Sequence, residues 1–176
     1  MEISHIFEEL KGRLFAAEYD NNKQNILEIL QDRWTDPVFL EQFFEEHKSD
    51  LQSGFFGAIS IEQAIEDTME EADELFDVLY DLNENQLDQL FKPLDNREYK
   101  VIDFQKRKAK GATKKSWLRI YAVSCSDAYF ITGGAIKLTK EMNERQHTKN
   151  ELDKLELMRN LLRANAGEHL FVYLNI

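Results

Sequence analysis

Two groups of basic residues in the second half of this chain have the types and spacing for phosphate chemistry. The first is Gln105–Ser116, QKRKAKGATKKS, which holds Lys106, Arg107, Lys108, Lys110, Lys114 and Lys115. No aromatic residue is interleaved to stack on a base, so contact with a phosphate backbone is the most that this segment supports. A hairpin tip joining two strands, kept soluble by its charge, explains the same composition. The second group is spread over strand-like sequence. Arg119 and Tyr121 stand two residues apart, which puts both on one face of a strand, and Lys137 and Lys140 follow the pair Gly133–Gly134. Cations spaced this way on adjacent strands can converge on one phosphodiester. A strand edge protected against aggregation would carry the same residues.

Other chemistries find less support. The glycine pair lacks the G-x-x-x-x-G-K-[ST] spacing of a nucleotide loop and predicts a bulge or strand break instead. His5, His47, His147 and His169 show no i,i+4 pairing, and beside the single Cys125 they make no zinc set, so no metal or other cofactor is expected. No nucleophile motif of the G-x-S-x-G type is present. Cys125 sits in the apolar run WLRIYAVSCS and reads as a buried structural thiol.

Charge divides the chain. Residues 1–99 carry 25 Asp and Glu against 7 Lys and Arg, whereas residues 100–176 carry 8 against 15, within a total of −11. Net charge governs solubility and steering while binding follows the local field, so an acidic total does not exclude RNA from the basic half. A length of 176 residues at 43% hydrophobic content suits one domain, with the acidic, mainly helical part ending near residue 98 and the basic part running from 99 to 176. No apolar run approaches the roughly 18 residues of a membrane span, and MEISHIFEEL lacks the features of a secretory signal. A cytoplasmic protein with no membrane partner is expected.

The elements that must position the basic residues follow from periodicity. Ile3–Glu8 and Arg13–Tyr19 flank a turn at Leu10–Gly12 and read as a hairpin, the first arm fitting a helical turn equally well. Residues 22–33 place Ile26, Leu27, Ile29 and Leu30 on a helical stripe. Asp36 and Pro37 supply the N-cap and first-turn proline of a second helix, ending near Lys48. Ser60 opens a third through S-I-E-Q, a capping box in which Gln63 reaches back to the serine amide. Its apolar positions Ile61, Ala64, Ile65, Thr68, Ala72, Leu75, Phe76, Leu79 and Leu82 recur at three and four, and its other face is almost wholly acidic. The acidic face is either solvated or a docking surface able to shield a basic one.

From Tyr99 the pattern changes to strands: Tyr99–Phe104, Trp117–Ser124 and Ala128–Thr132, the last two joined at Ser126–Asp127 as an antiparallel hairpin. T-K-N-E from Thr148 opens a further helix with Leu152, Leu155, Met158, Leu161 and Leu162 inward and Gly167 as its cap. A final strand, His169–Ile176, returns to the sheet. The expected class is α+β: an N-terminal strand or hairpin, acidic helices, then a small antiparallel sheet with a C-terminal helix and strand.

Within this order, Phe91–Met142 resembles the RelE/ParE/HigB superfamily of bacterial toxins. The likeness lies in a Leu-x-Pro-Leu-like phrase (Phe91, Lys92, Pro93, Leu94), a strand reaching Tyr99 and an Arg-x-Tyr strand (Arg119, Ile120, Tyr121). A hydrophobic strand ending in Gly and a Lys-x-Thr-Lys phrase (Lys137, Thr139, Lys140) complete it. The resemblance implies a RelE-like core with a helical extension and a toxin of a toxin–antitoxin system. Many such toxins are metal-independent ribonucleases that cut messenger RNA on the ribosome, while the ParE branch acts on gyrase. The implied partners are RNA or the ribosome and a small helix-turn-helix antitoxin.

On that resemblance the ribose 2′-hydroxyl attacks phosphorus, Arg119 and Lys137 stabilise the developing charge, Lys140 binds phosphate, and Tyr121 and His147 transfer protons. Family toxins are usually shorter and basic overall, so the acidic half lies outside the pattern. Either the acidic helices pack beside the basic sheet and occlude it, or the scaffold serves without catalysis as a module that docks a protein or nucleic acid.

Overall fold

Apolar residues presented on both sides of a single sheet set the architecture. The computed structural model describes residues 1–53, 56, 57, 59–81, 86–94, 105–110, 116–165 and 174–175. Strands β1 (Ile3–Leu10), β2 (Leu14–Tyr19), β3 (Lys92–Pro93), β4 (Gln105–Lys110), β5 (Leu118–Cys125), β6 (Ala128–Ile136) and β7 (Leu174–Asn175) form a mixed sheet ordered β3-β4-β5-β6-β2-β1-β7. Helices α1 (Ile26–Trp34), α2 (Pro37–Glu46), α3 (Lys48–Leu51), α4 (Ile61–Tyr80) and α5 (Leu87–Leu90) share one hydrophobic cluster with one face. Helix α6 (Gln146–Asn165), entered through a 3-10 turn at Met142–Glu144, shares a second cluster with the other. The class is therefore α+β, with the expected hairpin first and helix late.

Alternation along the strands assigns the faces. In β5, Leu118, Ile120 and Ala122 point to the α1–α5 cluster, while Tyr121 and Val123 point to α6. Trp34, Phe44 and Phe76 are almost fully buried on the first side, each of the order of 2–3 kcal/mol of burial. A buried hydrogen bond from Trp117 Nε1 to Thr68 Oγ1, 2.9 Å, ties β5 to α4. The outward carboxylates of α4 are solvated, with Glu62, Glu66, Glu70, Asp73, Glu74 and Asp77 exposed and only Glu71 buried.

The hairpin β1–β2 turns at Gly12, whose φ of +67° favours glycine. It is not separate from the later sheet. β2 runs parallel beside β6, with Leu14, Phe15 and Ala16 opposite Tyr129, Phe130 and Ile131. The expected small antiparallel sheet is thus the middle of a larger one, a pairing across the chain that local periodicity does not encode.

Several local expectations are corrected. Gln105–Lys110 is strand β4 rather than a hairpin tip, because cross-strand pairing with β5 overrides its charged composition. Residues 111–115, with Lys114 and Lys115, lie outside the described residues, as do the expected strand Tyr99–Phe104, the Gly167 cap and most of His169–Ile176. Leu174–Asn175 does return to the sheet, parallel to β1. Only half of the Ser60 box forms: Ser60 Oγ accepts from the Gln63 amide at 3.2 Å, but the Gln63 side chain donates to Asp67. A complete box stands instead at Asn25 and Glu28. Helix α6 begins at Gln146, and Thr148 lies inside it, donating its hydroxyl to the Met142 and Arg145 carbonyls.

The glycine pair does not break β6. Each glycine admits a helix to one face of the strand: a Cβ on Gly133 would collide with the Glu151 carboxylate of α6, and one on Gly134 would stand 2.7 Å from Leu30 of α1. The expected irregularity does lie beside the pair: Tyr121 faces Gly133 and Ala122 faces Ile131, so Thr132 is an extra residue on β6. No helix among the described residues is long and apolar enough to cross a membrane.

Candidate functional site

Strand alternation and register bring four cations to one end of the α6 face. In β4, Gln105, Arg107 and Ala109 are buried, which turns Lys106, Lys108 and Lys110 the other way. The Lys106–Glu156 contact with α6, 2.8 Å, fixes which face that is. Lys110 is directly opposite Arg119, and Lys108 directly opposite Tyr121. Arg119 is in turn opposite Ala135 on β6, and Lys137 lies two residues further along on the same side. Lys108, Lys110, Arg119 and Lys137 therefore form one patch across three strands. Lys110 is exposed and the other three half-buried.

Electrostatics agrees with that grouping. Burial, then Arg119 and, more weakly, Lys108, lower the pKa of Lys137, while Glu141 and Glu144 oppose them. Burial also lowers that of Arg119, against the nearby Tyr121 and Glu71. Among the described residues no carboxylate lies in ion-pair contact with Lys110, Arg119 or Lys137. Part of their hydrogen-bonding capacity is used locally. Arg119 Nη1 donates to the carbonyls of Ser116 (2.8 Å) and Leu118 (2.6 Å), and Lys137 Nζ to those of Thr139 (2.6 Å) and Lys140 (2.5 Å). Lys140 is exposed just beyond the patch.

The residues expected to move protons are placed differently. Tyr121 shares the face of Arg119, but it is 1% exposed within the α6 cluster and its hydroxyl has no hydrogen-bond partner among the described residues. Burial holds its pKa far above the ordinary phenol value, with Arg119 opposing and Glu151 reinforcing the shift. His147 belongs to another group. Its Nε2 meets the Ile136 carbonyl at 3.0 Å, its ring lies 4.7 Å from His47 and 5.3 Å from Phe43, and burial lowers its pKa. His47 Nδ1 is 3.8 Å from Asp50, which also pairs with Arg145. These contacts tie α2 and α3 to the start of α6 and leave His147 serving a joint.

Arg107 is displaced most from its expected role, being 4% exposed on the α1–α5 face. Lys106 is engaged with Glu156. Of the segment expected to meet nucleic acid, Lys108 and Lys110 remain in the patch. On the α4 side, a groove of about 370 Å³ has Phe56, Ile59 and Trp117 beside Asp67, Glu70 and Glu74, and those carboxylates suit no phosphate. Among the described residues no cluster of three or more His, Cys, Asp or Glu could hold a metal ion.

Glu151, expected as the last residue of the Thr148 capping box, is instead buried in the core. Its carboxylate is 5% exposed over Gly133, with one oxygen on Lys154 at 2.7 Å and the other unpartnered, and burial raises its pKa. The signal was present: Glu151 precedes Leu155 by one helical repeat, so it occupies a position of the apolar stripe. No family model matches the chain, and no match is found among curated proteins or solved structures.

Proposed function

We propose that the protein is an RNA-binding module on a toxin-like scaffold, contacting the phosphate backbone through Lys108, Lys110, Arg119 and Lys137. The observation that carries this reading is the direct opposition of Lys110 and Arg119 with Lys137 alongside. Like charges directly across a ladder oppose each other, and an anion laid between them reverses the sign of that interaction. The patch offers charge and no stacking surface, which suits backbone contact without base readout.

Ribosome-dependent cleavage of messenger RNA is the second reading, favoured by Arg119 and Tyr121 sharing one face beside Lys137. There the cations would stabilise the phosphorane and Lys140 would bind the adjoining phosphate. It needs a proton acceptor and donor at the same phosphate, and the buried Tyr121 hydroxyl and the engaged His147 supply neither in this arrangement. On either reading the partner is RNA or the ribosome, and a small helix-turn-helix protein would be the natural antagonist of a toxin.

The test is titration of a labelled oligoribonucleotide at several salt concentrations. Lys110→Ala with Lys137→Ala is expected to weaken binding and to reduce the salt slope by roughly 1.4, two single-strand contacts' worth. Binding with no salt dependence, or unchanged by the pair, sinks the proposal. Expression decides the second reading: growth arrest relieved by Arg119→Ala with Lys137→Ala supports a toxin, and harmless expression with intact ribosome-bound message removes it.

A further inference from the structure

Arg107 belongs neither to the cationic patch nor to the solvent. It leaves β4 on the α1–α5 face opposite Ala122, whose small side chain lets a long one lie across the sheet. Gln105, two residues along β4, is buried on the same face, and around Tyr129 several polar groups are engaged with one another. Tyr129 Oη donates to Asp88 Oδ1 at 2.7 Å, Arg13 Nη2 approaches the same oxygen at 3.9 Å, and Arg13 Nε donates to the Asp127 carbonyl. Tyr129 stays a neutral phenol, its pKa pushed up to about 12 by burial and by Asp88, with Arg107 and Arg13 both opposing that shift. Two arginines and one carboxylate thus gather round one phenol.

What distinguishes Arg107 is which of its atoms are idle. Nε and Nη2 are both closed to solvent and both lack a hydrogen-bond partner among the described residues. Together they form one edge of the guanidinium, the edge that grips two oxygens of a carboxylate or phosphate side by side. Leaving a charged donor pair unanswered in the interior is among the costlier burials a fold can make. The four-residue helix α5, which carries Asp88, packs against β4.

We propose that the Nε–Nη2 edge of Arg107 is an oxyanion-binding site beneath α5, seating two oxygens of a phosphate or carboxylate group. The site is on the opposite face of the sheet from Lys110 and Lys137, so it stands independently of RNA binding. Because thermal unfolding opens the whole chain, a bound anion raises the melting temperature however slowly it enters the native fold.

The experiment follows the melting temperature of the full chain in inorganic phosphate and, separately, in acetate, each matched in ionic strength with sodium chloride. One of the two is expected to give a saturable rise of roughly 5–10 °C at a hundredfold excess over its dissociation constant. The anion that does so identifies the ligand class. Lys110→Ala with Lys137→Ala should keep the response and Arg107→Met should lose it. If Arg107→Met does not fold, Arg107→Lys, which keeps the charge without the planar edge, carries the same test. A wild-type response no larger than that of sodium chloride overturns the proposal, as does an Arg107→Lys response equal to wild type. If Asp88→Asn lowers the melting temperature while neither anion raises it, Asp88 itself serves Arg107 and there is no ligand site.

Discussion

The two faces of the sheet are built on different principles. On the α1–α5 face, Trp34, Phe44, Phe76, Leu118 and Ile120 belong to one apolar cluster, and the α4 carboxylates other than Glu71 lie outside it, with Arg107 the buried cation on this side. On the α6 face, Phe15, Phe130 and Met158 share the layer with Glu151, Tyr121 and the Lys106–Glu156–Arg159 contacts. The acidic half therefore roofs the sheet with hydrocarbon, on the side the patch does not use. Among the described residues its carboxylates make no ion pair with Lys110, Arg119 or Lys137, and the side-chain ion pair that joins it to the basic half is Asp50–Arg145. Opposite net charges in two stretches of sequence do not imply that they neutralise each other in space.

Four variants test that contrast, in decreasing order of effect. Trp34→Ala empties the apolar side beneath Gly134 and is expected to cost about 3–5 kcal/mol, read from denaturant unfolding. A loss under about 1 kcal/mol would mean that the hydrocarbon roof matters less than argued. Gly133→Ala drives a methyl into the Glu151 carboxylate and should cost roughly 1–3 kcal/mol. In a double-mutant cycle the loss should shrink on a Glu151→Ala background, because the clash is with that side chain.

Glu151 also gives the α6 face a distinctive pH response. Its folded pKa is raised, so the native state holds the proton more firmly than the unfolded chain does. Stability from this group is present below the unfolded value of about 4.5 and is lost as pH rises through the folded pKa. Glu151→Gln should flatten that decline in unfolding measured across the window. Glu156, whose pKa is lowered first by its bond to Lys106, works in the opposite sense, its contribution fading as pH falls. An unchanged pH profile in Glu151→Gln would mean that its carboxylate is not buried as described. The smallest effect belongs to Glu70→Gln with Glu74→Gln on the outer face of α4, expected within about 0.5 kcal/mol of wild type and without influence on RNA affinity. A rise in affinity would show that the acidic face shields the patch after all.

Local sequence carried the helices well, because the stripes of α1 and α4 and the cap at Ser60 depend on neighbours three or four residues away. It carried Arg119 and Tyr121 onto one face for the same reason. It failed at β4, where QKRKAK has no apolar alternation and its strand state comes from pairing with β5. The sorting of its basic residues, with Arg107 inward and Lys108 and Lys110 to the patch, depends on that same pairing. The burial of Glu151 was missed because its partner, the bare backbone of Gly133, is visible only once α6 is laid on the sheet.

The parallel pairing of β2 with β6 has a consequence for how the chain acquires its shape. Tyr19 closes on the Thr132 carbonyl across 113 positions, so the sheet's centre joins segments from opposite ends of synthesis. During translation at about 5–20 residues per second, the emerging hairpin and acidic helices wait several seconds for the strand that completes their floor. Folding is accordingly slow and dominated by distant contacts, and a cut at the charge boundary near residue 98 yields two fragments with exposed apolar faces rather than two working halves.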